Sequence, residues 1–217
     1  NPKPQTPNPG TRSLTTRVPD NKELPEMKTE SISSSSLSAL STAPADLDAR
    51  LSSTYTLWVQ DLSKKETKTD FNFEEQIKPT VQVQTVRDFC NFFVSLRKPK
   101  DIHSGADIYF FKTGIKPMWE DTANKGGGKF FLHIKKSFAT RLWENLLFSV
   151  VSEEIPEMQF VNGIILKMHR LEVVFYIWTR EIPVPTQEVL KSWVKTTVGL
   201  SPKIKLEFKR HPINKHK

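Results

Sequence analysis

Gly114-Ile115-Lys116-Pro117-Met118-Trp119-Glu120-Asp121 is followed two residues later by Asn124-Lys125-Gly126-Gly127-Gly128-Lys129-Phe130. Gly114, Pro117 and the glycine triplet are turn formers. They mark a loop between two β-rich runs, Asp107–Lys112 and Lys129–Lys135. A Trp after Pro-Met in such a loop follows no apolar period that would draw it into a core. A carboxylate comes directly after it, then a basic glycine turn. That composition suits an aromatic platform beside a polar reader, and an ordinary connecting loop is the rival reading. Gly126–Lys129 lacks the strand and helix frame of a phosphate loop, so a hairpin turn is the better reading there.

Outward from this loop, further runs read as strands. They are Tyr55–Val59, Phe71–Phe73, Ile77–Val83, Phe160–Met168, Glu172–Thr179 and Lys203–Phe208. Three segments read as helices. Thr85-Val86-Arg87-Asp88 resembles a capping box, and Val86, Phe89, Cys90, Phe93 and Leu96 follow at helical spacing. Ser137 is placed to cap a second helix with Phe138, Leu142, Leu146 and Val150 on one face. Thr186 is placed to cap a third, with Val189, Leu190, Trp193, Val194 and Thr197 inward. Gly199 then falls where a left-handed residue ends a helix. About eight strands and three helices without βα alternation predict an α+β fold with a largely antiparallel sheet.

The N-terminal part differs. Residues 1–48 hold seven of the 15 prolines and 14 Ser/Thr, and no aromatic precedes Tyr55. With little apolar surface to offset the entropy of ordering, this segment is expected to be a disordered tail. It carries five basic and six acidic residues, so the remaining 169 residues hold the positive charge, at +9. A basic domain points to an anionic partner such as nucleic acid, nucleotide or a membrane surface, and solvated surface lysines explain the same charge.

The chemistry-bearing residues do not suggest an enzyme. The single Cys90 excludes a disulfide framework and a multi-thiolate zinc site. Its place on an apolar helical period makes it a core or groove residue rather than a nucleophile. The five His have no metal-ligand spacing. His133 falls in a strand as a packing or edge residue. No apolar run, including Val173–Trp178, is long enough to span a bilayer, and the N-terminus shows no signal-peptide pattern. These features point to a soluble protein of the cytosol or nucleus.

Taken together, the loop and several other stretches resemble the eukaryotic translation initiation factor 4E family, which binds the 5′ cap of messenger RNA. The stretches are Gly114–Asp121 with Asn124–Lys129, Tyr55-Thr56-Leu57-Trp58, Thr85-Val86-Arg87-Asp88-Phe89, Glu144-Asn145-Leu146-Leu147, Ile177-Trp178-Thr179 and Leu200-Ser201-Pro202-Lys203-Ile204. They occur in family order over about residues 49–210. The resemblance implies a curved eight-stranded, mostly antiparallel sheet with three helices on its convex face and a cap site on the concave one. It divides the chain into a tail, 1–48, and a cap-binding domain, 49–217, whose basic end 209–217 is free to be flexible.

By the same resemblance, Trp119 is one of two rings that sandwich 7-methylguanine. Glu120 is the carboxylate that accepts from guanine N1–H and its exocyclic amine, and Trp178 is the ring against the N7-methyl group. N7-methylation makes the base cationic, so rings on both faces gain stacking and cation–π energy. Counting back from Thr85 without a gap puts the second ring at Phe73, with Phe71 the alternative. The phosphate-binding positions fall on Lys129 and His169, or Arg170 after a one-residue slip. The first family lysine position is Leu171. Lys209, Arg210, Lys215 and Lys217 are additional basic groups. On the helical side, family members bind proteins carrying a Tyr-x4-Leu-hydrophobic helix. The matching positions are Val86, Cys90 (a Trp in the family), Trp143 and Leu147. Ordinary core packing is the alternative for Cys90 and Trp143.

The expected function is therefore binding of the 7-methylguanosine cap of mRNA, without catalysis, cofactor, metal or membrane. Its expected protein partner is an initiation scaffold or a binding protein with that helix. The altered helical face also allows a translational repressor or storage factor. A cap-processing hydrolase is a remote third reading, since the sequence lacks an acidic metal-binding cluster. The expected location is the cytoplasm, with the nucleus also open.

Overall fold

The computed structural model describes residues 46–61, 76–102, 106–197, 199–200 and 205–212. Residues 1–45 of the expected tail and the expected strand Phe71–Phe73 lie outside them. Asp48, assigned to the tail from sequence, instead accepts from the Arg87 guanidinium at 2.8 Å.

Seven strands and three α-helices are described. In chain order they are β1 (Arg50–Asp61), β2 (Ile77–Thr85), α1 (Val86–Ser95), β3 (Ala106–Lys112), β4 (Gly128–Lys135), α2 (Ala139–Val151), β5 (Val161–Met168), β6 (Glu172–Thr179), α3 (Val184–Thr197) and β7 (Glu207–Arg210). The strands form one sheet in the order β2-β1-β3-β5-β6-β4-β7. Every pair is antiparallel. Of the expected strand Lys203–Phe208, residues 203–204 lie outside the described residues, and the described strand is Glu207–Arg210.

Strand side chains alternate between the two faces. Tyr55, Leu57, Phe110, Phe130, Leu132, Ile164, Leu166, Val173, Phe175 and Ile177 share one core with the buried residues of all three helices. Their sequence neighbours Tyr109, Phe111, Ile165 and Trp178 form a second, smaller cluster on the opposite face, joined there by Trp58, Trp119 and Tyr176. The helices thus cover one side of a curved, open sheet. Tyr55 ties the layers together: its buried hydroxyl donates to the Val150 carbonyl of α2 at 2.9 Å.

The capping box forms as expected. Asp88 N–H donates to Thr85 Oγ1 at 3.1 Å, and Thr85 N–H donates to Asp88 Oδ2 at 3.0 Å. Helix α1 buries Phe89 and Phe92, however, and leaves Cys90 exposed. At 3.6 residues per turn, Cys90 points about 100° round from Phe89, which carries it out of the buried stripe. Cys90 is therefore not a core residue.

Other helical expectations also shift. Ser137 lies in a short 3-10 turn, and α2 starts from Phe138 without a side-chain cap. Phe138 is 68% exposed instead of inward. Trp143 and Leu147, expected on a partner-binding face, are 1% and 0% exposed. The Trp143 ring lies 6.2 Å from Phe175 of β6. Helix α2 is covered along a broad stripe, so both residues are core and present no surface to a partner. Helix α3 starts at Val184, two residues before Thr186, because Pro185 suits a first turn. Val189 is 45% exposed, while Leu190 and Val194 are buried. Gly199 has φ +64°, the expected left-handed end.

The glycine triplet does not close a hairpin between β3 and β4, which are not neighbours in the sheet. It brings the chain to the opposite half, between β6 and β7. A Cβ on Gly127 would sit 2.0 Å from the Thr179 carbonyl oxygen. No side chain fits there.

Candidate ligand site on the open sheet face

Trp119 reaches the helix-free face on a loop that is held internally. Asn124 is fully buried, and its amide donates to the carbonyls of Lys116 at 2.9 Å and Met118 at 2.8 Å. Asp121 accepts from the backbone N–H groups of Lys116 and Ala123, both at 2.9 Å. Asn162 of β5 donates to the Ala123 carbonyl at 2.8 Å and to Asn124 Oδ1 at 2.9 Å. The loop is thereby docked on the sheet, and Trp119 packs half-buried against the cluster containing Trp178. Glu120 beside it is exposed.

Trp178 forms the floor of this face. It is 7% exposed, stands edge-on to Phe111 at 5.7 Å and lies 4.2 Å from the His211 ring. Its indole N–H has no hydrogen-bond partner among the described residues. Gly163 makes the arrangement possible, since a Cβ there would sit 2.5 Å from the Phe111 ring.

Lys129 pairs in register with Trp178 across β4 and β6. Its ammonium lies 4.7 Å from the Tyr176 ring centre and 5.8 Å from that of Trp178. Burial, then the charges of Lys167 and Lys209, push its pKa down. An incoming anion relieves that repulsion. Lys167, which sequence reading missed, shares this face and pairs with Asp107 at 3.0 Å. Asp107 is almost fully buried, and the Tyr109 hydroxyl also reaches it, at 3.4 Å. The same hydroxyl donates to Gln60 at 2.7 Å. Lys209 lies opposite Lys129 in the β4–β7 register.

His169 and Arg170 are not brought to Trp178. They lie exposed in the β5–β6 turn, where His169 N–H donates to the Glu172 carbonyl at 3.0 Å. Glu172 and Trp178 are six residues apart on β6, or about 20 Å at a strand's rise. Period-2 counting from Ile165 was the signal for Lys167, once the face carrying Trp178 was known. His211 was also missed. It is 5% exposed, and burial followed by the nearby Lys129 charge lowers its pKa to about 4.

Phe73 and Phe71 lie outside the described residues. Among the described residues, no group of three or more His, Cys, Asp or Glu is placed to hold a metal ion. No described helix is long and apolar enough to cross a membrane. An aromatic floor bordered by three lysines has the chemistry to receive a planar ring that carries anionic groups.

The family model for eukaryotic initiation factor 4E matches residues 50–217. The chain belongs to that family. It is 31% identical over 141 residues to eukaryotic translation initiation factor 4E-4 of Caenorhabditis elegans, covering 64% of this chain and 66% of that protein. It is 32% identical over 142 residues to eukaryotic translation initiation factor NCBP of Oryza sativa subsp. japonica, covering 64% and 62%. These matches span just under two thirds of the relatives' lengths. In three dimensions it resembles C. elegans eIF4E-3 in a complex with the 4E-binding protein Mextli and cap analog. The TM-score is 0.68 at 23% identity, covering 75% of this chain and 94% of that one. It likewise resembles Ascaris suum eIF4E-3 in complex with m2,2,7G cap, with a TM-score of 0.69 at 21% identity, covering 76% and 92%.

Proposed function

We propose that this chain binds the 7-methylguanosine 5′ cap of mRNA and brings the message to translation initiation in the cytoplasm, acting by binding and not by catalysis. The observation that carries the reading is Trp119, held by the Asn124–Asn162 contact over the same sheet face as Trp178. Trp119 stacks on the cationic base, and Phe73, or Phe71, supplies the second ring. Glu120 accepts the two guanine donors. Trp178 lies against the methyl group. The phosphates run toward Lys129, Lys167 and Lys209, rather than toward the distant His169 and Arg170.

The protein partner docks on the outer face of α1. Val86, Cys90 and Val94 recur every four residues, and Val94 is 79% exposed. Phe148 of α2, 49% exposed and 4.8 Å from Phe93, extends this apolar surface. A Tyr-x4-Leu-hydrophobic helix is the partner of matching chemistry. The exposed stripe replaces the face expected from Trp143 and Leu147.

The test is titration of 7-methyl-GTP and GTP followed by Trp fluorescence, on the parent and on Trp119→Ala, Phe73→Ala and Phe71→Ala. Trp119→Ala should lose most cap affinity with its thermal midpoint retained. Cap affinity at parental strength in Trp119→Ala would overturn the site assignment. The two Phe variants decide which ring completes the sandwich.

A further inference from the structure

The side of β4 that carries Lys129 continues away from Trp178 through Phe131, His133 and Lys135. Alternate residues of a strand share a face at about 6.7 Å intervals, so this line is about 20 Å long. Aromatic rings accompany it: Phe131 lies 6.1 Å from Tyr176 and 6.2 Å from the His133 ring. At its far end, His133 and Lys135 line a cavity of about 1080 Å³. Lys98, Lys100 and Arg141 line the same cavity, as does Phe138. Its carboxylate is Glu144. The acids beside the line are already engaged, Glu172 with His133 at 3.4 Å and Glu207 with Lys205 at 3.0 Å. A cavity with four basic side chains, one carboxylate and an aromatic ring 68% exposed is complementary to a polyanion that carries flat rings.

We propose that this surface is a track for single-stranded RNA, with its phosphates on Lys135, Lys100 and Arg141 and a base stacked on Phe138. The polarity of the path rests on the cap reading: RNA leaving a cap held at Trp119 and Trp178 passes Lys129, follows β4 and, beyond Phe131 where the pairing with β7 ends, rounds the strand's edge into the cavity against α2. A membrane surface fits less well, because the basic groups line a concavity rather than a flat face. A peptide of Asp and Glu alone lacks the rings that Phe138 is exposed to receive, whereas every nucleotide of RNA brings both an anion and a ring.

The experiment compares 7-methyl-GTP, a capped oligoribonucleotide of about ten nucleotides and the same oligonucleotide uncapped. That length lies within the roughly 4–16 nucleotides bound per domain by single-strand binders. The proteins are the parent, Phe138→Ala and the triple variant Lys100→Ala/Lys135→Ala/Arg141→Ala, all changed at exposed positions. The parent should bind the capped oligonucleotide more tightly than 7-methyl-GTP, with an advantage that shrinks as salt rises. Phe138→Ala should reduce that advantage by about fivefold or more, the range for one lost base stack. The triple variant should abolish it while 7-methyl-GTP affinity stays unchanged. Equal parental affinity for capped oligonucleotide and 7-methyl-GTP would overturn the track. So would an undiminished advantage in the triple variant, or tighter binding of an anionic vesicle or acidic peptide than of the uncapped oligonucleotide at this cavity. Uncapped RNA reads the track separately. Its binding by the parent and loss in the triple variant would support the track even where 7-methyl-GTP failed to bind, and that failure would count against the cap reading alone.

Discussion

Asn162 donates to Asn124 Oδ1 at 2.9 Å, and both side chains are fully buried. One residue belongs to a central strand and the other to the loop that carries Trp119. The contact converts a long connection into a fixed platform, because Asn124 in turn holds the carbonyls of Lys116 and Met118. Buried polar groups of this kind are costly to leave unmade.

Asn162→Ala should therefore lower stability by about 1–3 kcal/mol, the cost of stranding a buried acceptor. It should also weaken binding of 7-methyl-GTP without touching the ligand. Combining it with Trp119→Ala should add little further loss of affinity, since both act through the same ring. Denaturant midpoints and a double-mutant cycle in fluorescence titration check this. Additive losses would show that Asn162 acts elsewhere.

Glu120→Ala should erase the preference for guanine over adenine bases. Glu120 is exposed and outside the core, so the fold should be retained. Hydrogen bonds to a charged acceptor contribute about 1.5–3 kcal/mol, or roughly one to two decades of affinity. Competition between methylated guanine and adenine nucleotides measures it. An unchanged ratio would remove Glu120 from the site.

Lys167→Met should weaken 7-methyl-GTP by about one to two decades, the worth of charge-assisted hydrogen bonds, and 7-methylguanosine far less. It also leaves the Asp107 carboxylate buried without its ammonium partner, so the thermal midpoint should fall. Adding Asp107→Asn should restore stability and leave phosphate affinity low. If the single variant retains the affinity difference between triphosphate and nucleoside, Lys167 is not a phosphate ligand.

His211 gives a pH signature. Its pKa is lowered from the ordinary 6.5 to about 4 by burial and then by Lys129. The unfolded chain binds the proton first on acidification, so the stability contributed by neutral His211 is complete above about 6.5 and lost as pH falls toward about 4. His211→Gln should flatten the pH dependence of the thermal midpoint across that window. An identical slope in parent and variant would refute the assignment.

Much of the fold was legible because local signals were strong. Glu172–Thr179 read as a strand and is one, since its apolar run is β-rich and bounded by turns. The Thr85–Asp88 box fixed the start of α1. Neighbour relations were not legible. Nothing in the sequence of β4 says that it pairs with β6 and β7 instead of β3, so from sequence the glycine triplet reads as a hairpin turn. Helical period alone could not choose between Cys90 and Phe92, because a broad apolar stripe admits both until the packing partner is known. In the site, Trp119 stood out through its loop. Lys167 stayed hidden in a run that is apolar on both faces, and His211 through its distance in sequence from Trp178.

The alternation of β6 has a consequence for how such a chain tolerates change. On β6, Trp178 faces the helix-free side while Ile177 and Phe175 face the helices. Site and core are thus interleaved residue by residue on one backbone. Replacing a side chain disturbs one face. Inserting or deleting a single residue within β6 exchanges the faces, driving an indole into the packed interior and isoleucine onto the open face. Within β6 a change of length therefore costs more than a substitution, and an extra residue is absorbed only where the ladder bulges, as between Val161 and Gly163 of β5.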